Sequence, residues 1–124
     1  MQIEGPEVVK YLSGRNTVRD GRLVSFAVQD MVTKPVVKLV FEVSKQGSIR
    51  TVKLELRDVL EFSYSYTSID APFIECLKCL WTDEGDFYLS LDPYDERERF
   101  ISDQDNDCFR SKSVNLLTDE APTD

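Results

Sequence analysis

The sequence predicts a mostly β chain, an antiparallel β-sandwich or open barrel of about seven to eight strands with at most one or two short helices. Three observations carry this. Apolar and polar residues alternate at period two through most of the chain, helical i, i+3, i+4 spacing is never sustained for ten residues, and Gly- or Pro-containing turn signals separate the alternating runs.

Taken in chain order, the run 8–12 fits either a first strand or a short helix. After the Asp20-Gly21 turn signal, Val24, Phe26 and Val28 share one face of a strand, and Pro35 marks the break before the next. Val37, Leu39, Phe41 and Val43 alternate with Lys38 and Glu42, while Val52, Leu54 and Leu56 alternate with Lys53 and Glu55. The five residues 44–48 between them contain Gly47, which predicts a hairpin. Leu60, Phe62, Tyr64 and Tyr66 form the next apolar face against Glu61, Ser63 and Ser65. Residues 73–81 and 87–91 read as a second hairpin around Asp83-Glu84-Gly85-Asp86, and 109–116 as the last strand. Segments 57–59 and 94–100 each suit a turn or two of helix.

With 124 residues, 41% of them hydrophobic, the chain is long enough for one core and too short for two, so it is expected to form a single domain over 1–117 with a frayed polar tail at 118–124. No stretch approaches the roughly 20 apolar residues of a membrane helix, and Met1-Gln2-Ile3-Glu4-Gly5-Pro6 lacks the basic and apolar regions of a secretory leader. Three cysteines, Cys76, Cys79 and Cys108, are an odd number and suit reduced thiols. These features point to the cytoplasm.

The absence of histidine is the strongest chemical exclusion. Ser–His and Cys–His nucleophile pairs and His-ligated zinc all require it. The five glycines begin no phosphate-binding loop. No pair of carboxylates is singled out for acid–base work. Cys76-Leu77-Lys78-Cys79 has C-x-x-C spacing, but in an expected strand residues i and i+3 point to opposite faces, which favours ordinary half-buried thiols over zinc. The expectation is a binding protein with no cofactor, not an enzyme.

Charge is the informative feature. The net charge of −8 argues against a nucleic-acid partner. Its distribution is uneven: residues 1–81 carry a net +1, 83–107 a net −8 and 108–124 a net −1. Asp92, Asp95, Glu96, Asp103, Asp105 and Asp107, with Tyr94 as an aromatic anchor, are therefore the candidate partner-binding residues. Phe100 could join them or pack on the sheet. Such a field accelerates encounter with a basic protein partner. Alternatively, these carboxylates cap a short helix at Asp92 or Asp95 in a solvated connection, or stabilise the domain through calcium. Asp103, Asp105 and Asp107 have the opening i, i+2, i+4 spacing of an EF-hand, but the sixth position is Cys108 instead of Gly and the twelfth is Val114 instead of Glu.

With the segment Phe87-Tyr88-Leu89-Ser90-Leu91-Asp92-Pro93-Tyr94-Asp95-Glu96 and the aspartates after it, the chain resembles the small, acidic, β-rich immunity proteins that bacteria make beside contact-dependent or polymorphic toxins. The resemblance lies in size, acidity, the missing export signal and the missing catalytic motif. It implies an antitoxin that neutralises a toxin domain, often a basic nuclease, by covering its active site. Such proteins share no residue-by-residue site pattern, so the candidate residues rest on charge clustering alone. Asp92-Pro93-Tyr94 also occurs in calcium-binding C2 domains, whose remaining loop spacing is missing here.

Overall fold

A computed structural model describes residues 1–30, 32–65 and 73–118. Tyr66 and residues 119–124 of the expected tail 118–124 lie outside the described residues, whereas Thr118 is not frayed: it is buried, ends the last strand and pairs with Val52. The elements are β1 (Gln2–Glu4), α1 (Pro6–Leu12), β2 (Arg22–Gln29), β3 (Val36–Lys45), β4 (Ser48–Ser63), β5 (Lys78–Trp81), β6 (Phe87–Asp92) and β7 (Asn106–Thr118). The chain is thus mostly β, as its periodicity predicts. All seven strands belong to one antiparallel sheet in the order β2-β3-β4-β7-β6-β5, with β1 added to β7. No helix among the described residues is long and apolar enough to cross a membrane.

The run 8–12 resolves as helix. Pro6 opens α1, where a missing N–H costs nothing, Glu7 lies in the first turn and Lys10 in the last, matching the helix dipole. Val8, Tyr11 and Leu12 then fall on one buried face at i, i+3, i+4. β3 and β4 form the expected hairpin across Gln46 (φ 52) and Gly47 (φ 83), the two left-handed residues of a tight turn whose twist suits the strands.

The register assembles the core in cross-strand rows. Phe26, Leu39, Leu54, Leu116 and Ile3 form one, and Val28, Val37, Leu56 and Val114 the next. Several predicted details change. The two runs 52–56 and 60–66 are not separate strands: β4 is continuous for 16 residues from Ser48 to Ser63, through the first run and into the second. Segment 57–59 is not helical. Instead Asp58 takes a left-handed backbone (φ 51), and the pairing with β7 slips by one residue between Val59 and Glu61. That irregularity turns Leu60 outward and Val59 towards the core. A similar slip between Leu23 and Ser25 buries Leu23 and exposes Val24. Segment 94–100 forms turns without helix, and only Lys78–Trp81 of the predicted strand 73–81 joins the sheet as a strand.

The bend in β4 curls the sheet. Phe26 on β2 meets Phe62, Tyr64 and Phe109 at ring-centroid distances of 6.0, 5.1 and 5.9 Å. β2 and β7 are three strands apart, about 14 Å in a flat sheet, so these contacts require strong curvature. At the other end Arg22 bridges Phe73 just upstream of β5, which brings the two ends of the sheet together as in an open barrel. Helix α1 contributes Val8, Tyr11 and Leu12 to the same core. The buried Arg50 of β4 donates to the Tyr11 hydroxyl (3.3 Å) and to the carbonyls of Asn16 and Thr17 (2.9 Å each), fixing the turn after α1.

Gly21 allows the close approach of that turn to β3. A Cβ there would stand 2.7 Å from the Glu42 carbonyl oxygen and 2.8 Å from Val43 Cγ2. Gly21→Ala is therefore expected to destabilise the fold by about 1–3 kcal/mol, read as a lowered urea midpoint at unchanged slope.

Candidate functional site

The acidic segment does not form a continuous negative face. Its carboxylates are largely neutralised by cations that the fold brings from elsewhere in the chain. Arg110 on β7 pairs with Asp86 (2.7 Å) and Glu84 (2.9 Å), Arg19 with Glu96 (3.1 Å), and Lys78 with Asp105 (2.9 Å) and Glu98 (3.0 Å). Asp95 pairs within the segment with Arg97 (3.1 Å). Asp107 accepts the Ser65 backbone N–H at 3.0 Å. Asp83, Asp92 and Asp103 have no ion pair among the described residues.

Asp105 is the hub of the β6–β7 loop, residues 93–105. It faces inward and is buried, which removes it from the surface set that charge clustering suggested. Its carboxylate accepts hydrogen bonds from Lys78 Nζ (2.9 Å), the Tyr88 hydroxyl (2.7 Å) and the backbone N–H groups of Tyr94 (2.9 Å) and Ser102 (3.2 Å). The Cys108 thiol sits 3.2 Å from the same Tyr88 hydroxyl. One side chain thereby ties both ends of the loop to β5 and β6. Glu98 binds the far side of Lys78, and Glu96 reaches Arg19 and the Leu77 N–H (3.4 Å).

Burial alone would raise the Asp105 pKa, but the hydrogen bonds from Tyr88, Lys78 and the two amides outweigh it and hold the carboxyl below its ordinary range. Burial would likewise lower that of Lys78, whereas its bonds to Asp105 and Glu98 raise it. Glu96 is also held down, by Arg19 and the Leu77 amide against its own desolvation. Asp95 is lowered by its bonds to Arg97.

With its base fixed, the loop presents apolar side chains outward. Tyr94 is 66% exposed, Phe100 61% and Ile101 36%, flanked by exposed Asp92 and Asp103. Lys78 Nζ lies 5.6 Å from the centre of the Phe100 ring, a cation–π contact that steadies it. Of the candidate residues, Asp92, Tyr94 and Asp103 are exposed, Asp95 and Glu96 are half-buried in ion pairs, Asp105 fastens the loop, and Asp107 on β7 holds the Ser65 amide that follows β4. Asp103, Asp105 and Asp107 do not converge as calcium ligands. Among the described residues no group of three acidic, Cys or His side chains is placed to hold a metal ion.

Comparison with known proteins finds no matching family, no similar curated protein and no similar solved structure. The geometry of this chain alone must carry the functional reading. Sequence reasoning missed Lys78, Tyr88 and Arg19. Lys78 did leave a signal: a lysine inside an apolar strand needs a buried anion, and the nearby acidic segment could supply one.

Lys78→Met strands the Asp105 carboxylate inside the protein and is expected to cost about 3–5 kcal/mol, measured by urea unfolding at pH 7. Because the folded-state pKa of Asp105 is lowered, its stabilising effect is complete above the ordinary value of 3.8 and is lost as pH falls through the folded value. Asp105→Asn should therefore be less stable than the wild type at pH 7, with the difference shrinking below pH 4 in parallel unfolding curves.

Proposed function

We propose that this chain is a protein-binding inhibitor of the immunity type, which docks on a basic toxin domain through the β6–β7 loop. The observation that carries the proposal is the pairing of exposed Tyr94, Phe100 and Ile101 with a loop base fastened by the buried Lys78–Asp105 pair. Aromatic side chains surrounded by charge supply the desolvated anchors that dominate interface energetics. A loop already held in shape loses little conformational entropy on binding.

The ion pairing changes how the acidity is expected to work. Beside the anchors, Asp92 and Asp103 have no ion pair among the described residues, so steering by the loop is local. Affinity then resides chiefly in Tyr94 and Phe100, and charge acts on the rate of encounter. A basic toxin surface, such as the substrate groove of a nuclease, complements this arrangement, and the whole-chain charge of −8 favours its approach.

Tagged full-length protein captured from its own cells provides the test. Wild type should retain a stoichiometric basic partner. Tyr94→Ala with Phe100→Ala should weaken the complex at least about tenfold while leaving the circular dichroism spectrum unchanged. Asp92→Lys with Asp103→Lys should slow association at low salt and have little effect at high salt. Equal binding by the aromatic double variant would sink the proposal.

A further inference from the structure

A second surface lies on the other side of the same loop. A cleft of about 570 Å³ opens between Leu12, Ser13, Gly14 and Thr17 on one wall and residues 96–99 on the other, with Leu77, Cys79 and Leu80 at its base. Among the described residues β5 is the terminal strand of the sheet, hydrogen-bonded to β6 only. The cleft therefore runs beside a sheet edge.

The backbone phase of that edge follows from the β5–β6 turn. The Thr82 N–H donates to the Asp86 carbonyl at 2.8 Å, so Thr82 and Asp86 face each other across the ladder. In an antiparallel pair, hydrogen-bonded and non-hydrogen-bonded positions alternate. The register Trp81↔Phe87, Leu80↔Tyr88, Cys79↔Leu89 and Lys78↔Ser90 then directs the backbone groups of Leu80 and Lys78 to β6 and those of Cys79 and Trp81 away from it, to the outer edge. Leu77, two residues before Cys79, has the same outward phase, and its N–H is taken by the Glu96 carboxylate at 3.4 Å. One outward amide of this edge thus already carries an acceptor from outside the sheet. Further upstream the edge is occupied by the chain itself, where the Ile74 N–H donates to Gly21 O (2.9 Å) and the Asp20 N–H to Ile74 O (2.7 Å). Among the described residues no backbone partner meets Cys79 or Trp81 on the outer side.

The charge of the cleft selects the occupant. Its two carboxylates are already engaged, Glu96 by Arg19 and Glu98 by Lys78, and Arg97 is engaged by Asp95. Arg99 is exposed and has neither an ion pair nor a hydrogen bond among the described residues, and the cleft is lined by three arginines, Arg19, Arg97 and Arg99, against two glutamates, Glu96 and Glu98.

We propose that the cleft binds an extended peptide segment bearing a carboxylate, which adds a strand to the outer edge of β5 through the backbone of Cys79 and Trp81 and places its acid against Arg99. Main-chain hydrogen bonds supply the affinity of such strand addition, and the flanking pockets supply its selectivity. The four residues of β5 accommodate a segment of about four or five residues. The site is independent of the aromatic loop surface, since neither Tyr94 nor Phe100 lines it.

The test uses the full chain and a blocked pentapeptide, acetyl-Thr-Val-Asp-Val-Thr-amide, followed by amide NMR. The Cys79 and Trp81 amides should exchange rapidly with solvent in the free protein, then shift and gain protection as peptide is added into the millimolar range. A Lys-for-Asp peptide should bind more weakly, and a peptide N-methylated at alternate residues should not bind. Arg99→Glu should weaken the acidic peptide about two- to fivefold, the range for an exposed ion pair. Cys79→Pro removes an outward N–H without breaking a bond to β6 and should abolish binding. If that variant does not fold, the N-methylated peptide and Arg99→Glu decide alone. Slow exchange of Cys79 and Trp81 in the free protein, no shift at these amides, or equal binding of the Lys and N-methylated peptides overturns the proposal. Tyr94→Ala with Phe100→Ala should leave peptide binding unchanged, which separates this site from the loop reading.

Discussion

The fold depends on the bend in β4. A strand of 16 residues cannot stay in one flat sheet and also cover a core on both ends, because its natural twist carries the far end away from the near one. The left-handed Asp58 and the slip after Val59 turn the second half over the first, so that Phe62 and Tyr64 meet Phe26 and Phe109. Every later element is placed by that turn. β7 pairs along nearly the whole of β4, and β6 and β1 occupy successive stretches of its free side.

A buried ion pair is tolerated at the base of the β6–β7 loop because its hydrogen bonds are complete. β5 and β6 carry Lys78 and Tyr88 to the base of a long connection, where desolvating a charge is expensive unless its bonds are complete. Asp105 accepts four hydrogen bonds and Lys78 meets two carboxylates, so both charges are satisfied. Loss of Lys78 leaves the buried Asp105 without its cation, and loss of Asp105 leaves Lys78 with Glu98 alone. The network therefore specifies one conformation of the loop, and the exposed aromatic side chains inherit that rigidity.

The loop and the cleft share residues 96–99 as a common wall, yet they offer opposite chemistry. Outside, Asp92 and Asp103 flank an apolar tip. Inside, Arg99 faces a sheet edge. A chain with a large net negative charge can thus leave an arginine unpaired within one cleft, because net charge sums over groups that tertiary structure separates or pairs.

The alternation of apolar residues by itself determined the class of fold, the two hairpins and most of the core, since period two assigns each side chain to a face before any partner is known. Phe26, Leu39 and Leu54 were legible in this way, as were the turns at Gly47 and Gly85. The irregularities were not: Leu60 and Val24 fit their alternating patterns and face outward only because a register slip intervenes. The candidate site was half legible. Composition located the charge on 83–107 and Tyr94 beside it, but sequence distance hid the cations that answer it, for Arg19 lies 77 residues from Glu96 and Lys78 27 from Asp105. Charge clustering is a property of the chain, whereas charge compensation is a property of space, and only the folded sheet decides which carboxylates remain free to meet a partner.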